Sequence, residues 1–114
     1  MFHILVAEDD KNTRRYFQAV LEEANYTVTT AENGAQALEI LGREHIDLIV
    51  LDVMMPEMDG YELTKELRDV QDTIPILMVS AKQLPADKKK GFLVGTDDYM
   101  TKPVDEEEML LRIH

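Results

Sequence analysis

Short apolar runs and helical apolar patterns alternate along the whole chain. Three runs, at residues 2–7, 46–51 and 74–79, are rich in β-branched residues and leucine. Strands that are buried on both faces of a parallel sheet have this composition. Two more polar segments, at residues 26–30 and 97–100, have the spacing of further strands, and the alternating character of the first of them suits a sheet edge. The pattern therefore predicts five strands, with the three apolar runs at the centre.

Between the strands, apolar residues recur at the three- and four-residue spacing of amphipathic helices. The stripes of the five predicted helices are Phe17, Val20, Leu21 and Ala24; Ala37, Leu38 and Leu41; Leu63, Leu67 and Val70; residues 86–94; and Met109, Leu110 and Ile113. Asp59 is a candidate N-cap for the third helix, and Asp105 with Glu108 resembles a capping box for the last, which we expect to be cut short at His114. Strands that alternate with helices predict an α/β domain with a doubly wound parallel sheet.

Acidic residues follow two of the predicted central strands. Glu8, Asp9 and Asp10 follow the first run, and Asp52 follows the run at residues 46–51. Ligands of a doubly wound sheet bind beyond the carboxyl ends of the strands, where the winding reverses. If the strand at residues 26–30 lies at the edge, Glu8, Asp9 and Asp52 meet in one crevice, and such an all-oxygen cluster suits a hard cation such as Mg²⁺. Asp10 also reads as an ordinary helix cap.

A hydroxyl and a cation end two further strands on the same edge. Ser80 follows the run at residues 74–79, and the last strand leads through Tyr99 to Lys102. Alone, Ser80 reads as a turn hydroxyl, Lys102 as a solvated charge and Tyr99 as an amphipathic side chain at a sheet edge. Together with the acids they indicate phosphoryl transfer, in which Asp52 is the nucleophile, Ser80 binds a phosphoryl oxygen, and the metal and Lys102 neutralise charge. No Gly-rich P-loop is present, so nucleotide is not expected to be the direct donor.

Composition narrows the class of protein further. The 114 residues carry a formal charge of −11, which argues against nucleic-acid binding by this segment because such binding depends on cations. The chain has no cysteine, which excludes disulfides and thiolate metal sites. No apolar stretch approaches the roughly 20 residues of a membrane span, and no targeting segment precedes the first strand, so we expect a cytoplasmic protein. Three scattered histidines receive no role at the crevice: His3, His45 and His114.

Four motifs around these residues resemble the receiver domains of two-component response regulators, over essentially the whole length of the chain. They are LVAEDD at residues 5–10, LDVMMPEMDG at 51–60, VSAK at 79–82 and GTDDYMTKP at 95–103. The resemblance implies one flavodoxin-like receiver domain over residues 1–114, with five strands in the order 2-1-3-4-5. It also implies an effector domain that is absent from this sequence.

The resemblance implies roles for individual residues as well. Asp52 is the phosphoacceptor, and Lys102 contacts the phosphoryl group beside a cis bond to Pro103. Ser80 and Tyr99 change position on phosphorylation, which shifts the domain between two packings. The donor is a phosphohistidine on a sensor histidine kinase. The cation, Mg²⁺ or alternatively Mn²⁺, is bound by Glu8, Asp9, Asp52 and the backbone carbonyl of Met54.

Charged residues in the last third of the chain match the face through which OmpR/PhoB-type regulators dimerise, with their fourth helix, fifth strand and fifth helix. The matching residues are Lys88, Lys90, Asp97, Asp98, Glu108 and Arg112. Lys88 and Lys90 stand where arginine is usual in the family, which weakens bidentate pairing. The same residues also read as a solvated surface, because exposed ion pairs contribute little individually.

Three functions are compatible with these residues. We favour the receiver half of a transcription regulator, which dimerises on phosphorylation and binds DNA through a C-terminal domain beyond His114. The second is a stand-alone receiver that binds a protein target. The third is a phosphohydrolase that works through an aspartyl phosphate, but the five predicted βα units offer no substrate pocket. On the favoured interpretation the chain is not an enzyme on other substrates, and it catalyses only its own phosphorylation and dephosphorylation.

Overall fold

The computed structural model describes residues 2–53, 60–69, 73–80, 98–102 and 104–113. Strands and helices alternate through these ranges as the apolar pattern predicts. In chain order the elements are β1 (His3–Ala7), α1 (Lys11–Glu23), β2 (Thr27–Ala31), α2 (Gly34–Arg43), β3 (Leu48–Asp52), α3 (Gly60–Asp69), β4 (Ile76–Ser80), β5 (Asp98–Thr101) and α4 (Glu106–Ile113). The predicted helix around residues 86–94, the predicted N-cap Asp59 and Val70 lie outside the described residues.

The strands form one parallel sheet in the order β2-β1-β3-β4-β5. Each neighbouring pair is parallel, and the register of β1 with β3 runs from the pair of Ile4 and Leu48 to the pair of Ala7 and Leu51. The winding reverses between β1 and β3, because the chain moves outward to β2 before it crosses back to β3. The carboxyl ends of these two strands therefore flank a crevice, and the residues that follow them face the same edge of the sheet.

Side chains that alternate along each strand build a core on both faces of the sheet. On one face, Leu5 and Ile49 pack with residues of α2 and α3, including Leu63. On the other face, Ile4 and Val50 pack with residues of α1 and α4, including Phe17 and Met109. Every residue of β3 is buried, as expected for a central strand. In α2 the most buried apolar residues are Ala37 and Ile40, whereas the predicted Leu38 and Leu41 are only partly buried against the same face.

Polar side chains set the starts of three helices. Asp10 accepts hydrogen bonds from the backbone N–H and the hydroxyl of Thr13, at 2.8 and 2.6 Å, so the cap reading of Asp10 is confirmed. Asn33 accepts from the N–H of Gln36 at the start of α2. Asp105 accepts from the N–H of Glu108, which confirms the predicted cap of α4. No helix in the described part of the chain is both long and apolar enough to cross a membrane.

Candidate metal and phosphoryl-transfer site

Three carboxylates meet at the crevice between β1 and β3, where the sequence predicts them. Glu8 and Asp9 follow the last residue of β1, and Asp52 is the last residue of β3. One carboxylate oxygen of each lies within 4.8 Å of the others. Glu8 and Asp52 are 0% and 3% exposed, whereas Asp9 is exposed. The cluster is therefore closed on the sheet side and open to solvent on the side of Asp9.

Lys102, which follows β5, supplies a positive charge to this cluster. Its Nζ lies 2.7 Å from Oε1 of Glu8 and 3.6 Å from Oδ1 of Asp52. The other Glu8 oxygen, Oε2, accepts a hydrogen bond from the backbone N–H of Asp10 at 3.1 Å. The predicted cation thus lies beside the predicted nucleophile, although the two residues are separated by almost half the chain.

The pKa values of these groups move in different directions because their surroundings differ. Burial favours the neutral form of Glu8, but hydrogen bonds with Asp52, Lys102 and the Asp10 N–H outweigh it and hold its pKa below the usual value. Burial and then the neighbouring Glu8 raise the pKa of Asp9. Burial opposes the charge on Lys102, yet its hydrogen bond to Glu8 and the charge of Asp52 leave its pKa raised. Among the described residues, the ammonium group of Lys102 thus lies beside two of the three carboxylates, and the third, Asp9, is disfavoured as an anion.

The donor set fits a hard divalent cation. All three side chains offer oxygen ligands, and a single lysine cannot balance three carboxylates at this separation. Mg²⁺ is commonly held by a few carboxylates and completes its octahedral shell with water. Asp9 is the member of the cluster that solvent reaches.

The backbone at Asp52 is held by close contact with the start of α3. The N–H of Gly60 donates to the carbonyl of Val53 at 2.9 Å, and the N–H of Val53 donates to the carbonyl of Val79 on β4 at 3.0 Å. A Cβ atom added to Gly60 would lie 2.6 Å from the carbonyl oxygen of Asp52 and 3.0 Å from the Cα of Val53. Only glycine allows α3 to approach the residue that carries the carboxylate this closely.

The Gly60→Ala variant is expected to lose about 1–3 kcal/mol of unfolding free energy, because its methyl group must push backbone atoms of β3 and not a flexible side chain. Gly42→Ala is the matched control. A Cβ at Gly42 in α2 would meet nothing within 4 Å, and alanine favours helix over glycine, so this variant should gain roughly 0.5–1 kcal/mol. Urea unfolding of the two variants measures whether the unfolding free energy falls in Gly60→Ala and rises in Gly42→Ala. Equal stability of Gly60→Ala and the parent chain would contradict the contact.

The remaining predicted site residues are placed as follows. Ser80 ends β4, next to β3, and pairs with Thr101 in the register with β5. Tyr99 lies in β5 opposite Met78. Both are thus on the strands that the sequence assigned them. Five other residues with predicted or implied roles lie outside the described residues, namely Met54, Lys88, Lys90, Asp97 and, for its cis bond, Pro103.

Three residues of the predicted dimer face lie together on β5 and α4. Nη1 of Arg112 is 2.7 Å from Oδ1 of Asp98, and its Nε donates to Oε1 of Glu108 at 3.2 Å. The hydrogen bond to Asp98 outweighs burial and raises the pKa of Arg112. The structure therefore brings both charge signs to this surface within one chain.

Two histidines lie away from the crevice, in agreement with the absence of a predicted role. His3 begins β1, and its Nε2 is 2.6 Å from the hydroxyl oxygen of Thr29. His45 precedes β3 and is 2.9 Å from Oδ1 of Asp47. His3 and His45 lie at the amino ends of β1 and β3, whereas Asp52 lies at the carboxyl end of β3.

Sequence reasoning missed one residue at the crevice. Arg14, in α1, donates from Nη1 to the carbonyl oxygen of Glu8 at 2.9 Å and to that of Asp9 at 3.3 Å. The signal was an arginine within the first turns of a helix that begins directly after the acidic cluster. Because its targets are backbone atoms, no pattern of acidic side chains points to it.

Comparisons with known proteins agree with this geometry. Residues 4–114 match the response regulator receiver domain family. The chain is 44% identical over 111 residues to the probable transcriptional regulator ycf27 of Cyanidium caldarium. The matched residues are 97% of this chain and 44% of that protein. It is also 44% identical over 110 residues to the alkaline phosphatase synthesis transcriptional regulatory protein PhoP of Bacillus subtilis. That match includes 96% of this chain and 46% of the other protein.

The fold has close structural counterparts. The receiver domain of the Francisella response regulator 1452 superposes with a TM-score of 0.95 at 35% identity, over 99% of this chain and 93% of that one. By contrast, the chain spans about half the length of the curated relatives it matches. The predicted resemblance to receiver domains of OmpR/PhoB-type regulators is confirmed. The chain therefore belongs to the response regulator receiver domain family.

Proposed function

We propose that this chain is a phosphorylation-controlled switch, in which Asp52 accepts a phosphoryl group from a phosphohistidine of a sensor histidine kinase. The observation that carries the proposal is the meeting of Glu8, Asp9 and Asp52 with Lys102 at the point where the sheet winding reverses. Receiver domains are switches and not enzymes acting on other substrates. In this proposal Glu8, Asp9, Asp52 and the carbonyl of Met54 hold Mg²⁺, and Mn²⁺ is an alternative.

The transfer is a displacement at phosphorus. An oxygen of the Asp52 carboxylate forms a bond to phosphorus as the phosphorus–nitrogen bond of the phosphohistidine breaks. The electron pair of that bond returns to the imidazole nitrogen, which takes up a proton from water. When bound, Mg²⁺ neutralises charge on the phosphoryl oxygens. Lys102 adds its ammonium charge from the side of β5, and the Ser80 hydroxyl donates a hydrogen bond to a phosphoryl oxygen.

The product is an acyl phosphate that water can hydrolyse at the same site, so the chain also dephosphorylates itself. Glu8 and Asp9 have a positioning part in both directions because they hold the cation. Asp52 is 3% exposed, and its burial limits the access of water to the acyl phosphate. In this proposal Asp52 is phosphorylated, and hydrolysis of the acyl phosphate then restores its carboxylate.

The switch itself rests on contacts that form only with the phosphoryl group. Ser80 moves toward the new phosphoryl oxygen and Tyr99 turns inward, which shifts the population between two packings. Ser80 lies on β4, the neighbour of the strand that ends in Asp52, and Tyr99 lies on β5, one strand further out. The surface of β5 and α4, with Asp98, Glu108 and Arg112, then carries the change to a second copy of the chain.

Binding of a phosphate mimic is expected to promote homodimers through this surface. Beryllofluoride with Mg²⁺ should raise the weight-average mass in analytical ultracentrifugation. Arg112→Glu should prevent the rise, because it places like charges beside Asp98 and Glu108 in both copies. Lys65→Glu, a charge reversal at an exposed position of α3, is the matched control and should leave the increase in mass unchanged. Equal sedimentation of the chain with and without beryllofluoride would contradict the proposed dimer.

The output we propose is control of transcription by a DNA-binding domain that follows this segment in the full protein, in the cytoplasm. The support is that the curated relatives are named as transcriptional regulators and are about twice as long as this chain. The 114-residue segment itself does not bind nucleic acid in this proposal, since its charge is −11. A stand-alone receiver that binds a protein target is the second candidate. An aspartyl-phosphate phosphohydrolase is the third and least favoured.

The experiment that tests the proposed function is phosphorylation of the chain by a small donor. Incubation with acetyl phosphate and Mg²⁺ should add the mass of one phosphoryl group to the intact protein. The same incubation with excess EDTA should add none, because the site then lacks its cation. A chain that gains no phosphoryl group with Mg²⁺, or gains it equally with EDTA, is not the switch proposed.

A further inference from the structure

We propose that Arg14 is a positioning residue for the metal-binding turn, which we define as Glu8, Asp9 and Asp10. The proposal rests on the proposed function in treating Glu8 and Asp9 as ligands of Mg²⁺. Nη1 of Arg14 donates to the carbonyl oxygens of both residues, at 2.9 and 3.3 Å. Arg14 therefore binds the backbone of the turn, whereas Lys102 binds the carboxylate of Glu8.

Arg14 completes the backbone hydrogen bonding of a buried residue, Glu8. Glu8 is 0% exposed, and its N–H donates to the carbonyl of Ala31 at the end of β2, at 3.0 Å. Its carbonyl accepts from Arg14. A buried carbonyl needs a donor, and without one the peptide gains by rotating toward water. Rotation of the peptide between Glu8 and Asp9 would move both carboxylates relative to Asp52.

The guanidinium is itself held from the far side. Nη2 of Arg14 lies 3.5 Å from Oε1 of Glu32, and the N–H of Glu32 donates to the side-chain oxygen of Gln36 in α2 at 2.8 Å. The side chain of Arg14 is 13% exposed and that of Glu32 is 63% exposed. Arg14 thus connects the metal-binding turn to the loop between β2 and α2. The planar guanidinium has donors in fixed directions that serve both sides at once, which a lysine cannot do.

This arrangement separates positioning from charge compensation. The hydrogen bonds from Arg14 to the turn end on carbonyl oxygens and occupy no carboxylate oxygen of Glu8 or Asp9. Outer contacts that orient metal ligands commonly change metal affinity by about 10–100-fold when they are removed. Loss of Arg14 should therefore weaken binding of Mg²⁺ more than it slows the transfer at saturating Mg²⁺.

The test is isothermal titration of Mg²⁺ into the protein without any phosphoryl donor, for Arg14→Ala, Arg14→Lys and Arg15→Ala. Arg15→Ala is the matched control, since it removes the same charge from the next, exposed position of α1. Arg14→Ala is expected to raise the Mg²⁺ dissociation constant about tenfold, Arg14→Lys to give an intermediate value, and Arg15→Ala to leave it unchanged. With acetyl phosphate, Arg14→Ala should need more Mg²⁺ for half-maximal rate and reach the parental rate when Mg²⁺ saturates.

Two results would overturn the proposal. One is a parental dissociation constant for Arg14→Ala, and the other is equal weakening by Arg15→Ala, which would mean that only charge matters. The outcome is distinct from that of the proposed function, because titration needs no donor. If Arg14→Ala weakens Mg²⁺ binding while the parent chain gains no phosphoryl group, the proposed function fails and the role of Arg14 stands. If the parent is labelled and Arg14→Ala binds Mg²⁺ normally, only the role of Arg14 fails.

Discussion

The Asp52→Asn variant is expected to gain no phosphoryl group from acetyl phosphate and Mg²⁺ under conditions that label the parent chain fully. Asparagine keeps the shape of the side chain at the end of β3 but offers a neutral amide, which is far weaker than a carboxylate as a nucleophile. Intact-mass spectrometry over a time course measures the loss directly. The expected effect is complete, because in the proposal Asp52 is the one residue that receives the phosphoryl group.

The variant should remain folded, which makes the loss interpretable. Asp52 and Glu8 are both buried acidic groups in one cluster, so a neutral residue at position 52 removes a like-charge contact. Thermal unfolding without Mg²⁺ should show stability equal to or above that of the parent. Asp10→Asn is the matched control, because it removes one charge from the same turn while asparagine still caps α1. It should be labelled like the parent. Equal labelling of Asp52→Asn and the parent would contradict the assignment of the phosphoacceptor.

Replacement of Asp9 by Asn is expected to weaken Mg²⁺ binding by at least about 100-fold, the upper end of the loss seen when outer contacts of a metal site are removed. Asp9 is the exposed member of the cluster, and in the proposal it is a direct ligand of the cation. Phosphorylation at a fixed, subsaturating Mg²⁺ concentration should fall in proportion. Titration calorimetry measures the affinity, with Asp10→Asn again as the control. A parental affinity in Asp9→Asn would remove Asp9 from the ligand set.

The same variant is expected to stabilise the metal-free chain. Burial and the neighbouring Glu8 raise the pKa of Asp9, so the folded state holds this proton more tightly than the unfolded state does. For the parent, Asp9 therefore destabilises the fold at neutral pH, and this cost disappears as the pH falls through its raised folded pKa. Asparagine removes the cost at every pH. Mg²⁺ at 100 times the parental dissociation constant should stabilise the parent by about 2.7 kcal/mol and Asp9→Asn by about 0.4 kcal/mol or less, as thermal melts at several pH values can show.

Acidification should also weaken Mg²⁺ binding by the parent, since the ligand must be a carboxylate. The loss should begin at a higher pH than for an ordinary aspartate because the pKa of Asp9 is raised. Glu8 acts in the opposite sense, since its lowered pKa keeps it ionised to lower pH. As the pH falls, the affinity for Mg²⁺ should therefore drop first because Asp9 takes up a proton. The residual affinity of Asp9→Asn should vary less with pH in that range.

The strands could be predicted from the sequence because a parallel sheet buried on both faces requires continuous apolar runs. Their ends could not. The run at residues 46–51 begins with Ile46, which is buried in the core but precedes β3, and β3 continues to Asp52. A residue can be buried without forming the hydrogen bonds that pair one strand with the next. Hydrophobicity therefore predicts which segment is buried, but it does not predict the residue at which strand pairing begins. The same shift occurs at β4, which begins at Ile76 and includes Ser80.

The acidic cluster could be predicted because the carboxyl ends of neighbouring parallel strands share one edge. What holds the cluster could not be predicted in this way. The N–H of Gly60 donates to the carbonyl of Val53, and Arg14 donates to the carbonyls of Glu8 and Asp9. Both contacts end on backbone atoms, which are the same at every position of the chain, so they leave no mark in a pattern of side chains.

The most direct test of the central claim locates the phosphoryl group on the chain. Borohydride reduces an acyl phosphate to an alcohol, so a phosphorylated aspartate becomes homoserine and survives proteolysis and mass spectrometry. After reaction of the parent chain with acetyl phosphate and Mg²⁺, the account predicts homoserine at position 52 and unchanged aspartate at positions 9 and 10. Homoserine at either of those positions, or a phosphoryl group on His3 or His45 with Asp52 unmodified, would contradict it.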